Sequence, residues 1–244
     1  MASGSPYFPT ENRFTDSRVR YDCKVKNDTM NHFGHDAKSW LSTVLTQPFK
    51  ATKHAHSHQD EVYKIETPNA VYYLKIAERL TNERGNLKKL SPILRVPEVI
   101  DFHRSKSGYD YLLISELPGK NLVELIGEWP DTEIVDTFAK AVRRLHDLDV
   151  ALVFPEAKAR DVLLHGDMAL PNIIISEQKQ IGYIDFGQLS FGTPELDLAD
   201  SIWSLQRNLG PGYGRMFLEE YGSVTMTAKI EEALNFRYQP PKQA

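Results

Sequence analysis

A single cysteine, Cys23, stands in 244 residues. One thiol cannot close an internal disulfide, so the disulfide-framed folds of small secreted domains are excluded, and the lone thiol fits a reducing compartment. Long apolar runs are missing as well. None approaches the roughly 18 residues of a membrane-spanning helix, and the opening stretch MASGSPYFPTENRF lacks the apolar centre of a secretory signal peptide. A cytoplasmic location without a membrane partner is the expectation. An excess of positive charge is also absent: 29 Lys and Arg stand against 33 Asp and Glu, for a formal charge of −4. That balance excludes a general nucleic-acid scaffold, which would neutralise many phosphates with clustered cations. No internal repeat and no low-complexity tract is present. What remains, 41% hydrophobic and 25% charged residues, is ordinary for a globular chain long enough to bury a core as one large or two small domains.

Local patterns divide the chain into an N-terminal extension over 1–45, partly ordered, a small strand-rich lobe over 46–117 and a larger, mainly helical lobe over 118–244. The first 35 or so residues are polar and lack periodicity. One short helix is expected over 37–45, either against the small lobe or beside the connector described below. After Pro48, the segments FKATKHAHS, DEVYKIET and AVYYLKIA are rich in Val, Tyr, Ile and Thr, with Pro68-Asn69 as a turn between the last two. They predict a β-meander. His54, His56 and His58 alternate along the first segment, and a two-residue period would place them on one face. A metal site is geometrically possible there, but no Cys or carboxylate at ligand spacing accompanies them, and a solvent-facing edge is the better reading.

Lys75 lies inside an apolar strand, where an ammonium is costly to bury without an anionic partner. Over 79–90 the pattern is helical, with Leu80, Leu87 and Leu90 on one stripe and Glu83 close enough to point inward. Lys75 therefore either pairs with Glu83 or snorkels to water from an edge strand. A hairpin around Ser107-Gly108 follows, then Pro118-Gly119, with 118–121 as a hinge. A helix from Asp131 to about Asp147 comes next, with Ile134, Phe138, Val142 and Leu145 inward and His146 packed or capping at its end. Thr193-Pro194-Glu195 reads as a helix start with Thr193 as N-cap, Gly210-Pro211-Gly212 stops that helix, and two more follow over about 213–221 and 227–236. The tail QPPKQA reads as frayed.

Residues 163–187, LLHGDMALPNIIISEQKQIGYIDFG, concentrate the chemistry. Asp167 and Asp185 emerge at the ends of apolar segments, with Asn172 between them as a neutral oxygen donor. Loops between apolar strands are where chemistry is displayed. Phosphoryl transfer from a nucleotide needs these residue types: a Lys for the phosphates, hard oxygen ligands for Mg2+ and a carboxylate to orient the accepting hydroxyl.

LLHGDMALPNIII and YIDFG resemble the catalytic and metal-binding loops of the aminoglycoside phosphotransferase and choline kinase superfamily, small-molecule relatives of protein kinases. GTPELDLADSIW, LISEL and YYLKIA extend the resemblance to roughly 50–222. It implies an α+β, bilobal protein-kinase-like fold and an ATP- or GTP- and Mg2+-dependent phosphotransferase acting on a hydroxyl of a small polar molecule, with an aminoglycoside as first guess and a monomer as the expected state. Asp167 would be the catalytic carboxylate, Asn172 and Asp185 the Mg2+ ligands, Lys75 the contact to the α and β phosphates, and Glu83 its support. Ser115 and Leu117 would offer backbone C=O and N–H to adenine, and His165 and Asp197 would brace the catalytic loop. Two departures stand out. The segment ATKHAHSHQDE, where relatives fold a Gly-containing loop over the phosphates, has no Gly, so Ser57 or the backbone of 56–59 would serve. Between His146 and His165 there is a short connector where antibiotic-modifying members insert a substrate-binding helical segment. Glu219, Glu220, Glu231 and Glu232 are then the acidic candidates for a cationic acceptor, although acidic residues on helices usually form a solvated face. The alternatives are a kinase for another metabolite or a protein side chain, and a pseudokinase that binds without turnover.

Overall fold

A computed structural model describes residues 33–56, 60–222 and 224–237. The polar first 32 residues, Ser57, His58 and Gln59, and the QPPKQA tail lie outside them.

Five antiparallel strands form the first sheet: β1 (Lys50–His56), β2 (Asp60–Glu66), β3 (Val71–Ala77), β4 (Val99–Arg104) and β5 (Asp110–Ser115), in the order β1-β2-β3-β5-β4. Thr67 closes the β2–β3 turn through its backbone N–H and hydroxyl, both donating to the Ala70 carbonyl at 2.9 Å. Because alternate side chains point to opposite faces, the sheet has two apolar surfaces. Tyr63, Ile65, Leu74, Ile76, Tyr111 and Leu113 pack on one side against Ala37, Leu41 and Leu45 of helix α1 (His35–Val44) and its C-cap. The helix expected over 37–45 thus sits on the small lobe, where Trp40 Nε1 also donates to Asp101 Oδ2 at 3.2 Å. Leu41 is fully buried. Leu41→Ala should cost about 2–5 kcal/mol, read as a lower urea midpoint at unchanged slope; a change below about 0.5 kcal/mol would mean that α1 stands outside the core.

The opposite face presents Ala77, Leu112 and Ile114 to helix α2 (Thr81–Leu90) and to the core of the second lobe. That core continues through α3 (Asp131–His146), α4 (Glu195–Leu209), α5 (Tyr213–Gly222) and α6 (Ala228–Arg237). Short strands lie between these helices. β6 (Lys120–Asn121), β8 (Ile173–Ile175) and β9 (Ile181–Tyr183) make one small sheet, and β7 (Val162–Leu164) pairs with β10 (Ser190–Gly192). The architecture is α+β and two-lobed.

Three local expectations need correction. A register shift between Lys53 and Ala55 puts His54 at a β-bulge, so the two-residue alternation fails there, and His54 instead meets the edge of the Tyr73 ring at 5.2 Å. No metal-binding group of three or more His, Cys, Asp or Glu occurs among the described residues. The 118–121 segment is pinned rather than a free hinge: β6 pairs with β8, and a Cβ on Gly119, at φ +143°, would lie 2.3 Å from the Ile175 carbonyl oxygen. Thr193 does not cap α4. Pro194 occupies the N-cap position without a side-chain bond.

Candidate active site

Lys75 enters from β3 on the face turned toward α2, and Glu83 faces it from the first turn of that helix. The Lys75 ammonium lies 2.7 Å from both Glu83 oxygens and 2.9 Å from Asp185 Oδ1. Lys75 and Glu83 are buried, whereas the Asp185 side chain keeps 46% of its surface open. One cation is therefore shared by two carboxylates, one buried and one half-open to solvent. Burial alone would pull the Lys75 pKa down; the charges of Glu83 and Asp185 outweigh it and hold the ammonium above its ordinary value. Burial likewise opposes ionisation of Asp185, but Lys75 overrides it and holds that carboxyl below the usual range.

Asp185 sits just past β9 with φ 67° and ψ 57°, a left-handed conformation that Asp tolerates better than most non-glycine residues. The following turn is fixed from the small lobe, because Asn86 Nδ2 donates to the Phe186 carbonyl at 2.8 Å. Asp167 follows β7 and leads into a 3-10 turn, Leu170–Asn172. The Asn172 amide NH2 donates to the Asp167 carbonyl at 2.8 Å and lies 3.3 Å from Asp167 Oδ2. The Ile184 N–H then donates to the Asn172 carbonyl at 3.0 Å, which sets Asn172 beside the Asp185 turn.

Asp197, on α4, holds the loop that leads to Asp167. Fully buried, it accepts from the backbone N–H of His165 at 2.7 Å and of Gly166 at 3.0 Å, and His146 Nε2 lies 3.2 Å from it. His146 Nδ1 is in turn 2.8 Å from the Tyr221 hydroxyl on α5. Burial raises the Asp197 pKa, but His146 and the two N–H donors more than offset that and set it below the usual carboxylate range. His165 Nε2 donates to the Ile184 carbonyl, 2.9 Å away, and its buried Nδ1 has no hydrogen-bond partner among the described residues.

Lys75, Glu83 and Asp185 thus form one cluster, Asp167 and Asn172 an adjoining one, and His165 and Asp197 lie behind both. Ser115 and Leu117 lie apart from these clusters. Ser115 ends β5, with its N–H donating to the Glu98 carbonyl and its hydroxyl accepting from the Glu98 N–H, both at 2.9 Å. Leu117 lies over Gly182, where a Cβ would come within 2.7 Å of Leu117 Cδ2. No hydrogen bond among the described residues joins either to the carboxylate clusters. Glu219, Glu220, Glu231 and Glu232 are all exposed, and Glu219 is paired with Arg215 at 2.8 Å.

Sequence reasoning missed three contributors. Asn86, three residues after Glu83, shares its side of α2, and helical spacing alone could have flagged it. Asp60 opens β2 opposite Ala77, on the same face as Lys75; burial raises its carboxyl pKa, Lys75 works against that and Asp185 adds to it. That placement becomes visible only once the strand register is known. The Tyr221 contact to His146 crosses 75 positions and carries no local signal.

With this geometry in place, comparison with known proteins is informative. The phosphotransferase enzyme family matches residues 50–161 and 150–233. An aminoglycoside 3'-phosphotransferase of Escherichia coli is 26% identical over 194 residues, covering 60% of this chain and 71% of that protein. The crystal structure of an aminoglycoside-3'-phosphotransferase of type VIII superposes with a TM-score of 0.65 at 18% identity, over 84% of this chain and 97% of that one. A thermostable aminoglycoside phosphotransferase mutant, in ternary complex with AMP-PNP and hygromycin B, gives 0.57 at 13% identity over 76% and 83%. At such identities these structures establish the fold, the two-lobed protein-kinase-like one.

Proposed function

Because the chain belongs to the phosphotransferase enzyme family, within the aminoglycoside phosphotransferase superfamily, we propose that it transfers the terminal phosphoryl group of Mg2+-bound ATP to a hydroxyl of a small polar acceptor. An aminoglycoside is the first acceptor to test, since both the Escherichia coli relative and the solved neighbours carry that name. The observation that carries the reading is the shared ammonium: Lys75 held between buried Glu83 and open Asp185, next to the Asp167–Asn172 pair. ATP is the first nucleotide to test because the ternary complex of one neighbour holds its analogue AMP-PNP, with GTP as the alternative because another neighbour is a GDP complex.

In this reading Lys75 meets the α and β phosphates while Glu83 keeps it charged and aimed, and Ser115 and Leu117 present backbone groups to adenine. The donor set fits Mg2+: Asp185 offers a half-open carboxylate kept ionised by Lys75, and Asn172 spends its NH2 on Asp167, leaving the amide oxygen for a cation. When bound, Mg2+ draws off charge building on the phosphate oxygens. Asp167 orients the acceptor hydroxyl and takes its proton as the oxygen bonds to phosphorus and ADP departs. Asn172, within reach of Asp167 Oδ2, keeps that carboxylate turned to the acceptor.

The test is ADP release with a panel of aminoglycosides, amino alcohols and sugars; no turnover with any aminoglycoside would remove that acceptor class. One observation favours the alternative of a binding module: the β1–β2 loop has no Gly. Asp185→Asn separates the two. The wild type should be stabilised by AMP-PNP in a Mg2+-dependent manner, by about 2.7 kcal/mol at a hundredfold excess over Kd. The variant should lose the Mg2+ dependence. Absence of that dependence from the wild type itself would favour the binding module.

A further inference from the structure

The connector over 147–161, between α3 and β7, makes a contact with the small lobe that the chemistry above does not use. Lys89, in the last turn of α2, donates from Nζ to the backbone carbonyl of Val153 at 3.1 Å, and the same ammonium lies 5.1 Å from the centroid of the Phe154 ring. Val153 is buried, and Phe154 packs against Phe191 at 5.0 Å between ring centroids. Phe191 is on β10, directly opposite Leu163 of β7, the strand that delivers Asp167.

We infer that Lys89 is a positioning residue for phosphoryl transfer, fastening α2, and with it Glu83, to the connector that leads into the catalytic loop; this rests on the phosphotransferase reading. Three residues of α2 at successive spacings of three would then hold the helix to the second lobe: Glu83 through Lys75 and Asp185, Asn86 through the Phe186 carbonyl, and Lys89 through Val153 and Phe154. Basic residues in the last turn of a helix commonly serve only that helix's own terminal carbonyls. The Lys89 ammonium instead lies on a carbonyl and a ring of another element. A cation within reach of both a carbonyl and an aromatic ring is constrained more than one that meets a single partner. The fold does not need it, since Leu87 and Leu90 bury the apolar stripe of α2. What the clamp sets is the angle of the helix, and through Glu83 the point at which the Lys75 ammonium is presented. The connector, brief as it is, thereby couples the two lobes.

The test follows hydrogen–deuterium exchange of α2 and Mg2+-dependent ATP hydrolysis, which needs no identified acceptor, in Lys89→Met, Lys89→Arg, Phe154→Leu and the Lys89→Met/Phe154→Leu double variant. Met keeps the stem without donor or charge, whereas Arg keeps both. In Lys89→Met, α2 should exchange about tenfold faster and kcat should fall about tenfold, with KM for ATP moving by less than about threefold. Lys89→Arg should stay within about threefold of wild type, and the double variant should be little worse than Lys89→Met, as expected for two groups in one contact. Unchanged α2 exchange in Lys89→Met would overturn the clamp. Faster exchange with unchanged kcat, or a loss as large in Lys89→Arg, would overturn the positioning role. A wild type that hydrolyses no ATP would remove the phosphotransferase reading and the positioning role with it, while the exchange data would still judge the clamp.

Discussion

Asp167→Asn should lower phosphotransfer by roughly a hundredfold to ten-thousandfold, the range of a positioned general base, while AMP-PNP affinity stays within about threefold of wild type. The side chain keeps its shape, and the Asn172 NH2, 3.3 Å from Asp167 Oδ2, can still find an oxygen there. The second tether, from Asn172 to the Asp167 backbone carbonyl at 2.8 Å, does not involve the side chain at all. What the substitution removes, in the proposed reaction, is the negative charge that draws the acceptor's proton. Single-turnover kinetics with calorimetric AMP-PNP binding would check both halves. Turnover near wild type would mean that Asp167 does not meet the acceptor; a large loss of nucleotide affinity would mean that it belongs to the metal site.

The largest effect on stability is expected at Asp197. Its fully buried carboxylate takes two backbone N–H groups of the loop before Asp167 and is within hydrogen-bonding distance of His146 Nε2. Asp197→Ala strands these donors in the interior, at a cost of about 3–5 kcal/mol, and loosens the loop before Asp167, so turnover falls as well. Asp197→Asn retains an oxygen and should cost less. The sign of the pH dependence follows from the depressed pKa of Asp197 in the fold. Its contribution to stability is fully present above the unfolded value of about 3.9 and is lost as pH falls through the lower folded value. Urea unfolding of wild type and Asp197→Asn at pH 7 and again below pH 4 should therefore give curves that converge in acid. A gap that is constant with pH would mean that the charge of Asp197 adds nothing.

Much of this site was legible because its residues violate local expectation. An ammonium in an apolar strand is costly unless partnered, which offered the Lys75–Glu83 pair as one of two readings, whereas Asp167 and Asp185 stood out as carboxylates at the ends of apolar segments and by the family resemblance. Asn86 and Lys89 did not, because polar residues on a helix have an adequate explanation in solvent, and only tertiary contact distinguishes them. The boundaries of α1 were readable to within two residues, yet its location was not: an amphipathic helix records that it has an apolar face, not which surface covers it. Thr193 failed as a cap because the helix begins one residue later than expected, with Pro194 at the N-cap. The bulge at His54 left no mark in the alternation of the sequence. Long-range pairs such as Tyr221 with His146 lie beyond any local pattern.

The left-handed backbone at Asp185 bears on how this lineage can decay. In the proposed reaction position 185 answers to two demands, a negative charge for the cation and a backbone region that Asp, Asn and Gly enter far more readily than β-branched residues do. Descendants released from catalysis are freed from the first demand but not the second, since the turn still carries Phe186 into the core. Asn or Gly at that position, with the lysine and glutamate of the neighbouring pair retained, would then mark a relative that has kept the shape of the site after giving up its reaction.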